Sequence, residues 1–286
     1  MGSINKETDD YVLGRGIRES IRAMAGHAND RRRLDAQHLL WKLHLGYALH
    51  PSIKRSEPLR IAEVGTGTAI WLLDLAQDLP LDTQFHGYDI SANQFPPQAL
   101  WPENLDLGIL NALEDPPSRL LGYYDVVHVR MWASNLRSRE ASILIRNLKA
   151  MLKPGGFIQW EDADLVDQHL QSQPAQELEV VAKDLFKKAG IDYSWVRKIP
   201  RSLEQEAFLL QDEKTNVFSP SMTQLCTNTY LMALTEIFEG IKRSDDGSLV
   251  TLISSCETAL GRLIHEYNRG LVYNWRPVSV LAQKPL

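Results

Sequence analysis

Cysteine is nearly absent: Cys226 and Cys256 are the only two. They are too few for a disulfide framework and lack metal-ligand spacing. The eight histidines are scattered, with no HExxH or paired motif, so no metal is expected. No apolar run approaches the roughly 18 residues needed to cross a bilayer. Blocks of basic charge are missing too. The net charge is −5, which argues against a nucleic-acid footprint. The single run Arg31-Arg32-Arg33 passes at once into Leu34 and Asp35 and reads as a solvated helix face. The first eleven residues are polar and charged, unlike a secretory leader. Met1-Gly2 opens like a myristoylation signal, but Lys6 stands where Ser or Thr is required. The expectation is a soluble, cytoplasmic protein without a membrane or nucleic-acid partner. Internal repeats and low-complexity tracts are absent as well.

What is present is a hydrophobic fraction of 44% in 286 residues, enough for one large core or two modest ones. Helical spacing runs from about Ile17 to Leu49, with Leu40, Leu43 and Tyr47 on one stripe beside Trp41 and Leu45. After the connector Pro51–Pro58, strands and helices alternate. Apolar runs at Leu59–Val64, Phe85–Asp89, Leu105–Leu110, Tyr124–Val129 and Phe157–Trp160 read as buried parallel strands. Helices are predicted at Ala69–Leu79 and Ser138–Leu152, the latter stopped by Lys153-Pro154-Gly155-Gly156. This alternation predicts a doubly wound α/β sheet. Further on, residues 173–190 read as a helix, Phe208–Phe218 contains a strand, and 221–268 reads as two helices. Pro277–Ala282 forms a last strand that can return antiparallel. The expected organisation is a helical lid over residues 1–50 and one domain over 51–286, with a helical insertion at about 221–268.

The most informative stretch is Glu63-Val64-Gly65-Thr66-Gly67-Thr68-Ala69, a strand entering a glycine-rich turn and then a helix. Gly65 and Gly67 permit a tight turn and close approach of a ligand, and free amides at the helix start would suit an anionic group. A plain strand–helix turn is the competing reading. Asp89 ends the second strand, where a carboxylate can accept from both ribose hydroxyls of an adenosine; the alternative is a turn aspartate capping through Ser91. The dinucleotide fingerprint wants a glycine three residues after Gly67, and Ile70 occupies that place, which counts against a nicotinamide dehydrogenase.

These segments, with Gly87-Tyr88-Asp89-Ile90-Ser91, Gln94-Phe95-Pro96-Pro97, Tyr124 through Arg130 and Leu152 through Gly156, resemble the class I S-adenosylmethionine (SAM)-dependent methyltransferases. Tyr11 through Arg15 and Arg33-Leu34-Asp35-x-Gln37-His38 are similar to the fungal secondary-metabolism members of that family. The resemblance implies a Rossmann-like, seven-stranded, mostly parallel sheet with an antiparallel C-terminal strand, plus N-terminal and late helical additions. It implies SAM as cofactor, with Glu63, Gly65, Thr66 and Gly67 at the methionine part. Asp89 would sit at the ribose, and Ile90, Asn111, Ala112 and Leu113 around the adenine. Val129 and Arg130 would close the pocket. Two positions depart from the family pattern: Ala69 replaces a frequent glycine, and Asn111 a frequent Asp.

SAM supplies an activated methyl group, so the protein has only to align an acceptor and exclude water. A base helps only an acceptor that must lose a proton. His38 is the first candidate, with packing beside Trp41 or a cofactor contact as the competing reading; His128, within a strand, reads as a core residue. Tyr11, Arg15, Arg33 and Gln37 are candidates for a lid. Met24, Trp132, Met222, Tyr230 and Phe238 are candidates for an apolar acceptor chamber, or plain core. The expected function is methylation of an oxygen or nitrogen on a small, apolar secondary metabolite. A SAM-binding enzyme of cyclisation or pericyclic chemistry, and a methyltransferase-like regulator of secondary metabolism, are the competing readings.

Overall fold

The computed structural model describes residues 28–137, 139–242, 249–265 and 271–286. Tyr11, Arg15 and Met24 lie outside the described residues. Helix α1 (Ala28–Leu45) leads into β1 (Arg60–Val64), α2 (Ile70–Leu75), β2 (Gln84–Asp89), β3 (Leu105–Ile109) and β4 (Tyr124–Arg130). Then come α3 (Ala141–Met151), β5 (Leu152–Gln171), α4 (Gln173–Lys188), α5 (Ile199–Gln205) and β6 (Leu209–Lys214). Helices α6 (Pro220–Lys242) and α7 (Val250–His265) precede the last strand, β7 (Val272–Gln283).

The seven strands form one sheet in the order β3-β2-β1-β4-β5-β7-β6. Neighbours from β3 to β5 are parallel, and β7 runs antiparallel between β5 and β6. Strand order reverses between β1 and β4, so the loops leaving the carboxyl ends of β1, β2 and β4 diverge there and open a crevice. Alternating side chains feed two cores. Ala62, Val64, Val127, Val129, Ile158 and Trp160 belong to one face. Ile61, Phe85, Val126 and Leu281 belong to the other, packed with Trp71, Leu72 and Leu75 of α2.

Four elements differ from expectation. Helix α2 ends at Leu75, not Leu79, because the chain tightens there: Gln77 N–H donates to Asp74 and Asp78 N–H to Leu75, at 3.2 and 3.0 Å. Strands β5 and β7 run much further than Phe157–Trp160 and Pro277–Ala282. Their antiparallel ladder continues past Asp164↔Arg276 through a register shift to Gln171↔Val272. On α1, Leu43 is 51% exposed while Gln37 and His38 are buried beside Leu40 and Trp41. That helix covers polar groups, so its buried face is not an apolar stripe.

Candidate functional site

A cavity of about 260 Å³ opens at the strand-order reversal and runs from the glycine turn to a wall formed by α4, α6 and β7. Of the residues singled out above, Gly65, Gly67, Asp89, Ile90, Asn111, Ala112, Leu113, Arg130, Arg33, Gln37, Trp132 and Tyr230 line it. Glu63, Thr66, Val129 and His38 stand behind the lining, and Met222 and Phe238 belong to the packed core or its margin.

The glycine turn follows from its backbone. Gly65 and Gly67 have φ of +78° and +52°, the left-handed region that favours glycine. A Cβ at Gly65 would lie 3.0 Å from the Trp132 indole, so the turn and the loop after β4 are pressed together. The Trp132 Nε1–H donates to Val64 O at 3.2 Å and closes that contact. Ala69 also adopts the left-handed conformation, at φ 58°, which explains a glycine preference there. The amides of the turn are not free. Gly65 and Thr66 N–H donate to Tyr88 O at 2.7 and 2.9 Å. Gly67 N–H donates to Asp89 Oδ2 at 2.9 Å. The turn is therefore held to the end of β2 by its own donors, and α2, only six residues long, adds no anion site.

Asp89 ends β2 buried but on the cavity lining. Past β3, Asn111 turns the chain: its Oδ1 accepts from Leu113 N–H at 3.2 Å, and its Nδ2 donates to Glu114 Oε1 at 3.0 Å. Asn147 of α3, which the sequence reading missed, donates through Nδ2 to Ala112 O and Glu114 O at 2.9 and 2.8 Å. It thereby fixes the loop carrying Asn111–Leu113.

Beneath the cavity runs a chain of buried polar groups. The Thr66 hydroxyl donates to Glu63 Oε2 at 2.6 Å. Glu63 Oε1 lies 3.1 Å from His128 Nδ1, and His128 Nε2 lies 3.3 Å from Glu161 Oε2. The His128 ring stacks on Trp71 with centroids 3.8 Å apart. Arg130 donates through Nε to the same Glu161 oxygen at 2.5 Å, and Gln159 Nε2 donates to the other at 2.6 Å. Glu161 is wholly buried. Burial alone would raise its pKa, but Arg130 and His128 outweigh that and hold it at about 2. Glu63 and Thr66 are thus bound into this chain rather than presented to the cavity. Val129 faces the core because side chains alternate along β4, which turns Arg130 the other way.

His38 belongs to the same chain. Its Nδ1 lies 3.0 Å from Arg130 Nη1, a donor, so Nδ1 accepts. Nε2 then carries the proton and donates to Asp74 Oδ2 at 3.1 Å, while Lys42 Nζ donates to Asp74 Oδ1 at 2.6 Å. Burial, with the Arg130 charge, lowers the His38 pKa, which agrees with a neutral ring. Both ring nitrogens are therefore committed to protein partners, Arg130 and Asp74.

Asp162, also missed by the sequence reading, is the anchor of the loop after β4. Its carboxylate accepts from four N–H groups, those of Trp132, Ala133, Ala163 and the Trp160 indole, at 2.9–3.1 Å. Burial pushes its pKa up to about 6 against these donors. At the far end, the wall is apolar and aromatic, including Leu165, Phe186, Tyr193, Tyr230, Leu234 and Trp275. Arg33 of α1 donates to Glu236 of α6 at 2.7 Å and bridges the two helices over this lining. Tyr193 and Glu236 carry no local signal of their role, since their neighbours in the cavity come from distant segments.

Comparison with known proteins is consistent with this geometry. A methyltransferase-domain family model matches residues 36–220, more than half of the chain. The methyltransferase grgD of a Penicillium species is 39% identical over 154 residues, covering 51% of this chain and 53% of that protein. The N-methyltransferase tcpN of Claviceps purpurea is 35% identical over 143 residues, covering 49% and 51%. The chain thus spans about half the length of the curated relatives it matches. Phosphoethanolamine N-methyltransferase 2 of Haemonchus contortus, solved with SAM, superposes with a TM-score of 0.52 at 14% identity. That alignment covers 86% of this chain and 53% of that one. By its matched family and its sheet of seven strands with one antiparallel member, the chain belongs to the methyltransferase-domain family and has the Rossmann-like class I fold.

Proposed function

We propose that the chain binds SAM at the β1–β4 end of the cavity and transfers its methyl group to a small acceptor held against the apolar wall. The observation that carries this reading is one continuous cavity joining two chemically different ends. One has the close-packed glycine turn and the Asp89 carboxylate; the other has Phe186, Tyr193, Tyr230, Leu234 and Trp275. The residues fit the cofactor: Asp89 is a buried acceptor for hydroxyls, Ile90 and Ala112 offer apolar surface to a purine, and Gly65 and Gly67 keep the turn free of side chains. SAM, when bound, supplies a methyl group already activated for displacement.

The chain's own residues then have three tasks. The turn and Asp89 orient the cofactor end. The chamber wall holds the acceptor in line and sheds water, where alignment within about 3–3.5 Å supplies much of the rate. The buried chain from Glu63 to Asp74 keeps Arg130 in place on the lining. His38 acts in this reading as a positioning residue for Arg130, not as the base. The name of one relative, the N-methyltransferase tcpN, favours nitrogen over oxygen as the methylated atom. The test is incubation of the purified chain with methyl-labelled SAM and a fungal metabolite extract. Label in a small-molecule fraction supports the reading; label confined to protein, or SAM bound with none transferred, overturns it.

A further inference from the structure

The apolar end of the cavity contains two phenols whose hydrogen bonding is incomplete. Tyr193 is only 7% exposed and lines the cavity, and its hydroxyl has no hydrogen-bond partner among the described residues. A buried O–H without a partner is costly, and one on a cavity lining calls for an explanation. Packing does not supply one. The ring is held edge-on to Phe186, with centroids 5.6 Å apart, which a phenylalanine would satisfy equally. Tyr230, on α6, is stacked on Tyr273 at 5.1 Å and also lines the cavity. Its oxygen accepts from Gln168 Nε2 at 2.9 Å, so its own O–H remains to donate. The two phenols are near enough that charge on Tyr193 would oppose ionisation of Tyr230. Ser134, on the same lining, is close enough to favour the ionised phenol of Tyr193, but the contact lacks hydrogen-bond geometry. Around them the wall is hydrocarbon: Leu165, Phe186, Leu234 and Trp275.

We propose that the Tyr193 and Tyr230 hydroxyls form a two-point donor site that takes a hydrogen-bond-accepting atom of an otherwise apolar acceptor. The matching chemistry is a carbonyl or ether oxygen, or an aromatic ring nitrogen, on a flat hydrophobic body. Two hydroxyl donors, with the Glu179 carboxylate acting on both phenols, select such a neutral acceptor group over an anionic one. The phenols touch the substrate away from the reacting atom and so set specificity. This inference rests on the methyltransferase reading, because it assumes that the cofactor occupies the other end.

The test uses 1-indanone and indane, the same ring system with and without a carbonyl. Ligand-observed NMR on the full chain saturated with S-adenosylhomocysteine gives the ratio of their affinities. Replacing Tyr193 by Phe should lower the indanone-to-indane ratio severalfold, and the Tyr193→Phe/Tyr230→Phe pair should lower it about tenfold, the scale of one to two neutral hydrogen bonds. S-adenosylhomocysteine affinity, measured on each variant, reports that the fold is intact. Should Tyr193→Phe fail to fold, Tyr230→Phe alone is expected to lower the ratio severalfold. An unchanged ratio in folded variants, or no indanone binding by the loaded wild type, overturns the donor site while the methyltransferase reading stands. Failure of the wild type to bind S-adenosylhomocysteine removes both.

Discussion

Glu161→Gln tests the buried chain that holds Arg130. Glu161 is fully buried between Arg130 and His128, which together hold its pKa at about 2 against an ordinary value of 4.5. The substitution keeps the shape and removes the charge, leaving Arg130, its side chain 10% exposed, and the wholly buried His128 without their shared carboxylate. Breaking one side of a buried ion pair costs about 3–5 kcal/mol, and at roughly 2–4 °C per kcal/mol the melting midpoint should fall by about 10 °C. The pH dependence gives a second, independent readout. A carboxylate whose folded pKa is depressed stabilises the fold fully above its unfolded value. That stability is lost as pH falls from about 4.5 through 2, for a total of about 3 kcal/mol. Urea unfolding of wild type and variant from pH 7 to 3 should therefore show curves that converge as the pH falls. A variant as stable as wild type at pH 7, with a parallel acid limb, would refute the charged account of this chain.

Other expected outcomes concern the cavity itself. Asp89→Ala should weaken SAM binding by about 1–3 kcal/mol, the scale of hydrogen bonds to a charged group, as read by calorimetry; undiminished affinity would remove Asp89 from the cofactor end. Gly67→Val places a branched side chain at φ +52°, with its Cβ 3.2 Å from Leu34, and should abolish SAM binding. Circular dichroism should still report a folded protein, at a cost of about 1–2 kcal/mol for the strained backbone. His38→Ala should reduce kcat through misplacement of Arg130 without changing the shape of the pH–rate profile. Loss of a rising limb near neutral pH would instead mark His38 as a base.

The legible parts of the fold were those encoded locally. Strand ends with glycine or aspartate, Val64-Gly65 and Tyr88-Asp89, announce both the strand and its exit, and these two exits lie side by side at one edge of the sheet. The family pattern added the expectation of SAM and pointed to the loop around Asn111, which lines the cavity. Less legible was anything whose partner lies far along the chain. His38 reads as a candidate base or a residue packed beside Trp41, yet its ring is claimed by Arg130, 92 residues away, and by Asp74. His128 reads as core, and it is buried, but between two carboxylates that sequence spacing does not connect. The turn amides were expected to be free, and the carbonyl of Tyr88 on the neighbouring strand takes two of them. Strand length was underestimated in β5 and β7 because each supports the other. Their polar residues past Asp162 carry no alternation that would mark a strand in isolation.

The most direct test of the central claim is a crystal structure of the chain grown with S-adenosylhomocysteine. The ribose hydroxyls should sit on Asp89 and the purine between Ile90 and Ala112. The sulfur should face the chamber of Tyr193, Tyr230 and Trp275. Ligand bound elsewhere on the sheet, or a ribose turned away from Asp89, would contradict it.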